Sequence, residues 1–126
     1  MVGAMTKKER LDLALSEMMN VGNVDGSVVT SREGLLMASR VPPEIDDRII
    51  SALFSSVTAA AETALVEMGH GAVDRVGLSA KDGQVIIVPA GSKAVLGTLV
   101  RRGAQNLGLI LMEMETISEK ISEIIG

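Results

Sequence analysis

Residues 43–68 read PEIDDRIISALFSSVTAAAETALVEM, with no glycine and no proline after the first position. The stretch is rich in alanine and reads as one long helix. At roughly 100° per residue its side chains sort into three sectors. Ile49, Ile50, Leu53, Phe54, Val57, Ala61, Ala64, Leu65 and Met68 fill a wide apolar arc. Glu44, Asp47, Arg48, Ser51, Ser55, Thr58 and Glu62 make a polar face. Between them Ala52, Ser56, Ala59, Ala60 and Thr63 form a seam of small residues. The apolar arc is expected to pack on a sheet, and the seam would let a second helix approach with backbone near backbone. The same small residues also suit a plain solvent face, and the pattern alone does not choose.

Outward from this helix, the flanks read as strands and two further helices. On the N-terminal side, Ser27-Val28-Val29-Thr30 and Leu35-Leu36-Met37-Ala38-Ser39 flank the polar turn Ser31-Arg32-Glu33-Gly34, a β-hairpin pattern. Pro42-Pro43 ends the hairpin, and Pro43 suits the first turn of the long helix. Before the hairpin, residues about 5–21 read as an amphipathic helix with Leu11, Leu15 and Met18 at helical spacing. Thr6 and Glu9 stand at capping-box spacing at its start, and Gly22 is a stop signal. On the C-terminal side, Met68-Gly69-His70-Gly71 closes the long helix and three β-type runs follow: Val73 to Ser79, Val85 to Val88, and Lys93 to Val100. Lys81-Asp82-Gly83 and Pro89-Ala90-Gly91-Ser92 are the turns between them. From about 104 to 125, Leu107, Ile110, Met114, Ile117, Ile121 and Ile124 mark a last helix. The order is helix, two strands, helix, three strands, helix. Tight hairpins make the five-stranded sheet antiparallel, and helices on both faces give a three-layer α/β sandwich, an α+β fold in one domain over residues 1–126.

Composition narrows the function. There is one Phe, with no Trp and no Tyr, so platforms for stacking on bases or sugars are missing. The net charge of −4 offers no general attraction to nucleic acid or anionic lipid, so neither nucleic-acid binding nor membrane insertion is expected. With no cysteine, disulfides, thiol catalysis and Cys-ligated zinc are excluded, and the chain fits a reducing cytoplasm. The charged N-terminus is not a signal peptide, and uninterrupted apolar runs fall far short of the ~20 residues that span a bilayer.

No catalytic, cofactor-binding or metal site is readable. His70 is the one histidine, placed between glycines at a helix end, and reads as a cap or loop residue. Ser39, Ser79 and Ser92 lie at strand ends without a triad pattern, and there is no Gly-x-Ser-x-Gly elbow. Gly91-Ser92-Lys93 lacks the phosphate-loop spacing and leads into a strand. Glu113, Glu115, Glu119 and Glu123 read as a solvated helix face, and Asp46-Asp47 opens a helix where negative charge offsets the dipole. Arg101-Arg102 would be an arginine finger only in a far more specific context, and reads as solvated.

Four segments together, in this order and spacing, resemble the roadblock / dynein light chain 7 family. They are Asp25 to Ser39, with its polar turn and Gly-Leu-Leu-x-Ala-Ser; the helix after Pro43; Gly83 to Pro89; and Ala104-Gln105-Asn106-Leu107-Gly108-Leu109. The resemblance implies a profilin-like fold that dimerises through the long helix (about 43–68) and the following edge strand (about 72–80), joining two sheets into one. On that basis Ala52, Ser56, Ala59, Thr63, Val76 and Leu78 are the expected homodimer interface. It further implies a regulator or scaffold of a small Ras-like GTPase, of the prokaryotic type. Such activators offer no catalytic arginine and reshape the switch segments of the GTPase. The alternatives are a small-ligand sensor, which needs a pocket between sheet and helix, and a passive light-chain-like dimerisation module. An enzyme is disfavoured because no constellation supports one.

Overall fold

A computed structural model describes residues 3–126; residues 1–2 of the expected domain lie outside the described residues. The elements are α1 (Lys7–Met19), β1 (Val24–Ser31), β2 (Leu36–Arg40), α2 (Asp47–Glu67), β3 (Val76–Ala80), β4 (Gly83–Ala90), β5 (Ala94–Arg101) and α3 (Leu107–Ile125). The expected order holds. The Thr6 side chain accepts from the Glu9 amide while Glu9 reaches back to the Thr6 amide, so the capping box forms. Helix α1 ends at Asn20, two residues before Gly22.

All five strands are antiparallel in the order β2-β1-β5-β4-β3. The crossover between β1 and β5 puts the two hairpins of the chain side by side and leaves β2 and β3 as the edges. Helix α1 covers β1 and β2, and α3 covers β4 and β5 on the same face. Between them and the sheet lies the larger core, with Leu15, Met18, Leu96, Ile110, Met114, Ile117 and Ile121 fully buried. Helix α2 lies alone on the other face, over β1, β2 and β5. A smaller cluster of Val28, Phe54, Ile87 and Val95 fills that side.

Three sequence expectations need correction. Helix α2 does not start at Pro43. Pro42 to Ile45 form a turn, closed by the Ile45 amide on the Pro42 carbonyl at 3.0 Å. Asp46 is the N-cap, its carboxylate accepting from the amides of Arg48 and Ile49 at 3.1 and 3.2 Å. Pro89, expected in a turn, lies inside β4. The β3 ladder stops at Ile87, so β4 needs no donor toward β3 at residue 89.

The third correction concerns which side of α2 meets the sheet. Its buried residues are Ser51, Phe54, Ser55 and Thr58, three of them from the expected polar face. Ile50 and Val57 of the apolar arc are half-buried against the same cluster, but Ile49, Leu53 and Met68 are exposed. Close approach explains the choice. Small hydroxyl side chains let α2 lie low on the sheet. Ser55 Oγ donates to the Ser31 carbonyl at 2.6 Å, and Thr58 Oγ1 to the Phe54 carbonyl at 2.8 Å. The Phe54 ring lies directly on Gly97 of β5, where any Cβ would collide with it.

Candidate functional site

Because its small polar residues face inward, α2 presents apolar residues outward. Ile49, Leu53, Val66 and Met68 are large and exposed, Leu53 by 52%. Ala52, Ser56, Ala59, Ala60, Thr63 and Ala64 lie exposed among them. By length and average composition α2 would pass as a bilayer-spanning helix, a property that uninterrupted apolar runs did not reveal. It is nevertheless tied to the sheet by polar contacts at both ends. Ser39 Oγ donates to Asp47 at 2.5 Å, and Arg32 pairs with Glu62 at 2.7 Å while also donating to the Gly91 carbonyl at 3.1 Å.

Beside this helix the sheet is bare. Helix α2 stops over β5, so β3 and the start of β4 have no layer above them. An open groove of about 770 Å³ lies there, with Ile45, Leu78, Val85 and Leu99 among its lining. Strand β3 is the most exposed strand, with Leu78 at 41% and Gly77, Ser79 and Ala80 open to solvent. The two sheet edges differ. Edge strand β2, five residues long like β3, is paired through a register shift at Val29/Thr30 and followed by Pro42-Pro43. Edge strand β3 pairs evenly with β4 and carries no charge, proline or bulge. Long-lived edges are normally blunted by such devices, and β3 has none.

The residues expected at an interface divide accordingly. Val76 is half-buried and Leu78 exposed on the bare sheet; Ala52, Ser56, Ala59 and Thr63 are all exposed on α2. Ala52 packs beside Gly34 of the β1–β2 turn, on the flank of α2 away from β3, and Ala59 is close to it on the helical wheel. The outward large residues were missed because the sequence assigned Ile49, Leu53 and Met68 to the sheet side. The signal available was the single aromatic Phe54, flanked at helical spacing by Ser51, Ser55 and Thr58.

The remaining candidates for chemistry are engaged or isolated. Arg101 pairs with Asp25 at 2.6 Å, and this hydrogen bond holds its guanidinium above the ordinary arginine range. His70 is exposed, its amide donating to the Leu65 carbonyl at 2.9 Å beyond the end of α2. Lys93, in the Gly91-Ser92-Lys93 turn, donates to the Gly126 carbonyl at 2.8 Å. Among the described residues no three His, Asp or Glu side chains converge as metal ligands.

The outward apolar face of α2 thus lies next to a bare stretch of sheet and the β3 edge. The chain belongs to the Roadblock/LC7 domain family, whose profile matches residues 10–100. Uncharacterized protein MJ1340 of Methanocaldococcus jannaschii is 30% identical over 111 residues, covering 88% of this chain and 96% of that protein. Myxococcus xanthus MglB superimposes with a TM-score of 0.86 at 16% identity, over 99% of this chain and 94% of that one. A chain of the LokiProfilin1/rabbit actin complex superimposes with a TM-score of 0.63 at 12% identity, over 97% and 99%. The fold is thus the profilin-like one, a five-stranded antiparallel sheet between helices.

Proposed function

We propose that this chain is a cytoplasmic homodimeric regulatory domain, a single domain over residues 1–126 that binds and modulates a small Ras-like GTPase and does no chemistry itself. The observation that carries the proposal is the pairing of an apolar outward α2 with an unblunted β3 edge. The GTPase partner is what membership of the Roadblock/LC7 domain family implies.

The energetics favour joint use of helix and edge. Fully burying one large aliphatic side chain stabilises by ~1.5–3 kcal/mol. Five half-exposed ones, Ile49, Leu53, Val66, Met68 and Leu78, would yield on the order of 5 kcal/mol per chain, about 10 kcal/mol per dimer. Association loses roughly 4–15 kcal/mol of translational and rotational freedom. The apolar face alone therefore sits near break-even, and β3 pairing supports it. Ala52, Ser56, Ala59 and Thr63 then form the small-residue part of the helix surface, and Val76 and Leu78 the strand part.

The test is single-turnover GTP hydrolysis by small Ras-like GTPases of the same cell, with the chain added at stoichiometric amounts. A change in hydrolysis or exchange for one GTPase, with no nucleotide binding by the chain alone, is expected. A chain that hydrolyses GTP unaided, or that leaves every such GTPase unchanged and unbound, contradicts the proposal.

A further inference from the structure

A trough runs between α3 and the outer side of β4, on the face of the sheet away from α2. Its first part, about 460 Å³, lies between Val73-Asp74-Arg75, which precede β3, and Leu111, Met112 and Glu115 of α3. Its second part, about 380 Å³, continues past Gly91 to Glu119 and Glu123. Pro89 and Ser118 line both parts, so the two are continuous. From Leu111 to Glu123 the helix rises about 18 Å.

The trough is open because β3 is too short to fill it. The β3 ladder ends at Val76–Ile87, whereas β4 continues to Ala90. The two-residue turn Lys81-Asp82 closes on Ala80 and Gly83, and hydrogen-bonded pairs recur at every second residue up to Ile87. Pro89 is next in that series, so its peptide group faces the side that β3 has left. Proline carries a carbonyl and no N–H. The open edge therefore only accepts, and among the described residues no backbone bond outside the ladder engages that carbonyl. Whatever adds here must bring donors.

The charge of the walls points the same way. Four carboxylates, Asp74, Glu115, Glu119 and Glu123, line the trough against one cation, Arg75. Glu115, Glu119 and Glu123 succeed one another four residues apart, a helical spacing at which like charges repel. None of them is in an ion pair among the described residues. Lys120, the one cation of α3, reaches across to Glu17 of α1, and Lys93 is held on the Gly126 carbonyl. The rest of the lining is apolar: Val88 and Leu111 are half-buried, and Met112 is 67% exposed. Such walls repel phosphate backbones and anionic headgroups, and they attract cationic side chains.

We infer that this trough docks a lysine- or arginine-rich segment of a partner protein, with apolar residues between its charges. The basic side chains meet the glutamates of α3 and the Pro89 carbonyl, and the apolar ones cover Met112 and Val88. About five or six extended residues span the length of the trough. The site is separate from the α2 face and does not depend on the dimer or the GTPase reading.

The test is fluorescence anisotropy with labelled six-residue peptides of alternating lysine and leucine, lysine and serine, or glutamate and leucine, at low salt. The lysine–leucine peptide is expected to bind the wild-type chain most tightly, and the glutamate–leucine peptide not at all. The triple variant Glu115→Gln/Glu119→Gln/Glu123→Gln should weaken lysine–leucine binding at least about tenfold. Glu33→Gln/Glu44→Gln/Glu67→Gln removes the same net charge at exposed positions elsewhere and should change it less than about twofold. Met112→Ser should weaken it severalfold while leaving the weaker lysine–serine binding unchanged. Equal losses in the two triple variants, or no lysine–leucine binding at about 1 mM chain, overturn the proposal. A lysine–serine peptide that binds as tightly as the lysine–leucine one also overturns it, since the acidic surface alone would then explain the attraction.

Discussion

Phe54→Ala tests whether one side chain carries most of the apolar attachment of α2 to the sheet. Phe54 is 5% exposed and is the one large apolar residue among the four buried on α2; the others are Ser51, Ser55 and Thr58. Truncating a buried Phe costs ~3–5 kcal/mol, a large share of a typical 5–15 kcal/mol stability. The partner surface sharpens the test. A Cβ on Gly97 would overlap the Phe54 ring, so Gly97→Ala in wild type forces a shift costing about 1–3 kcal/mol. In the Phe54→Ala background the obstacle is gone. Alanine is favoured over glycine inside a strand by roughly 0.5–1 kcal/mol, so Gly97→Ala there should stabilise. The double-mutant coupling should reach on the order of 2 kcal/mol. The assay is urea unfolding followed by far-UV circular dichroism, since the chain has no Trp or Tyr to report by fluorescence. Protein concentration is held fixed because an associating chain gains stability by mass action. Additive effects, or a Phe54→Ala loss below about 1 kcal/mol, would refute the described seating of α2 on Gly97.

Other outcomes follow from the same geometry. Leu53→Glu places a charge on the exposed apolar face of α2, and since a dimer carries it twice its dissociation constant should rise by at least about a hundredfold in sedimentation, with the monomer still folded. Ser79→Pro removes an outward amide that the β3–β4 ladder does not use, so it should dissociate the dimer by the same measurement while keeping the circular dichroism of the folded chain. Gly34→Ala should lower stability by more than about 1 kcal/mol in urea, because residue 34 has φ +93° and a Cβ there would crowd Ala52. Lys120 is held above the ordinary lysine range by its 2.6 Å hydrogen bond to Glu17. A raised folded-state pKa means its contribution is complete below the ordinary lysine value and is lost as pH rises through the raised one. The melting-temperature advantage of wild type over Lys120→Met should therefore shrink between about pH 9 and pH 12.

Local chemistry was enough to place most elements. The Thr6/Glu9 capping box, the two hairpin turns and the stripe from Leu107 to Ile124 each depend on neighbours within a few residues, and each appears where the sequence puts it. The start of α2 was misread because Pro43 and Asp46 both signal a helix opening, and only Asp46 has a side chain that caps the free amides. The facing of α2 was misread for a different reason. Periodicity tells which residues share a side of a helix, not whether the chain's own sheet or another surface covers that side. What decides it is the pairing of Phe54 with Gly97 and of Ala52 with Gly34, contacts across long stretches of sequence. The same holds for the edges. That β3 lies outermost follows from β1 pairing with β5, which no local pattern encodes.

The central claim is that the open α2 face and the β3 edge exist to hold a second copy. Molar mass by light scattering, measured from roughly 1 to 100 µM, tests it most directly. The account predicts a mass near twice the 13.2 kDa of one chain, falling to a single chain for Leu53→Glu. A wild-type mass of one chain across that range would contradict it and leave the apolar face of α2 without its proposed occupant.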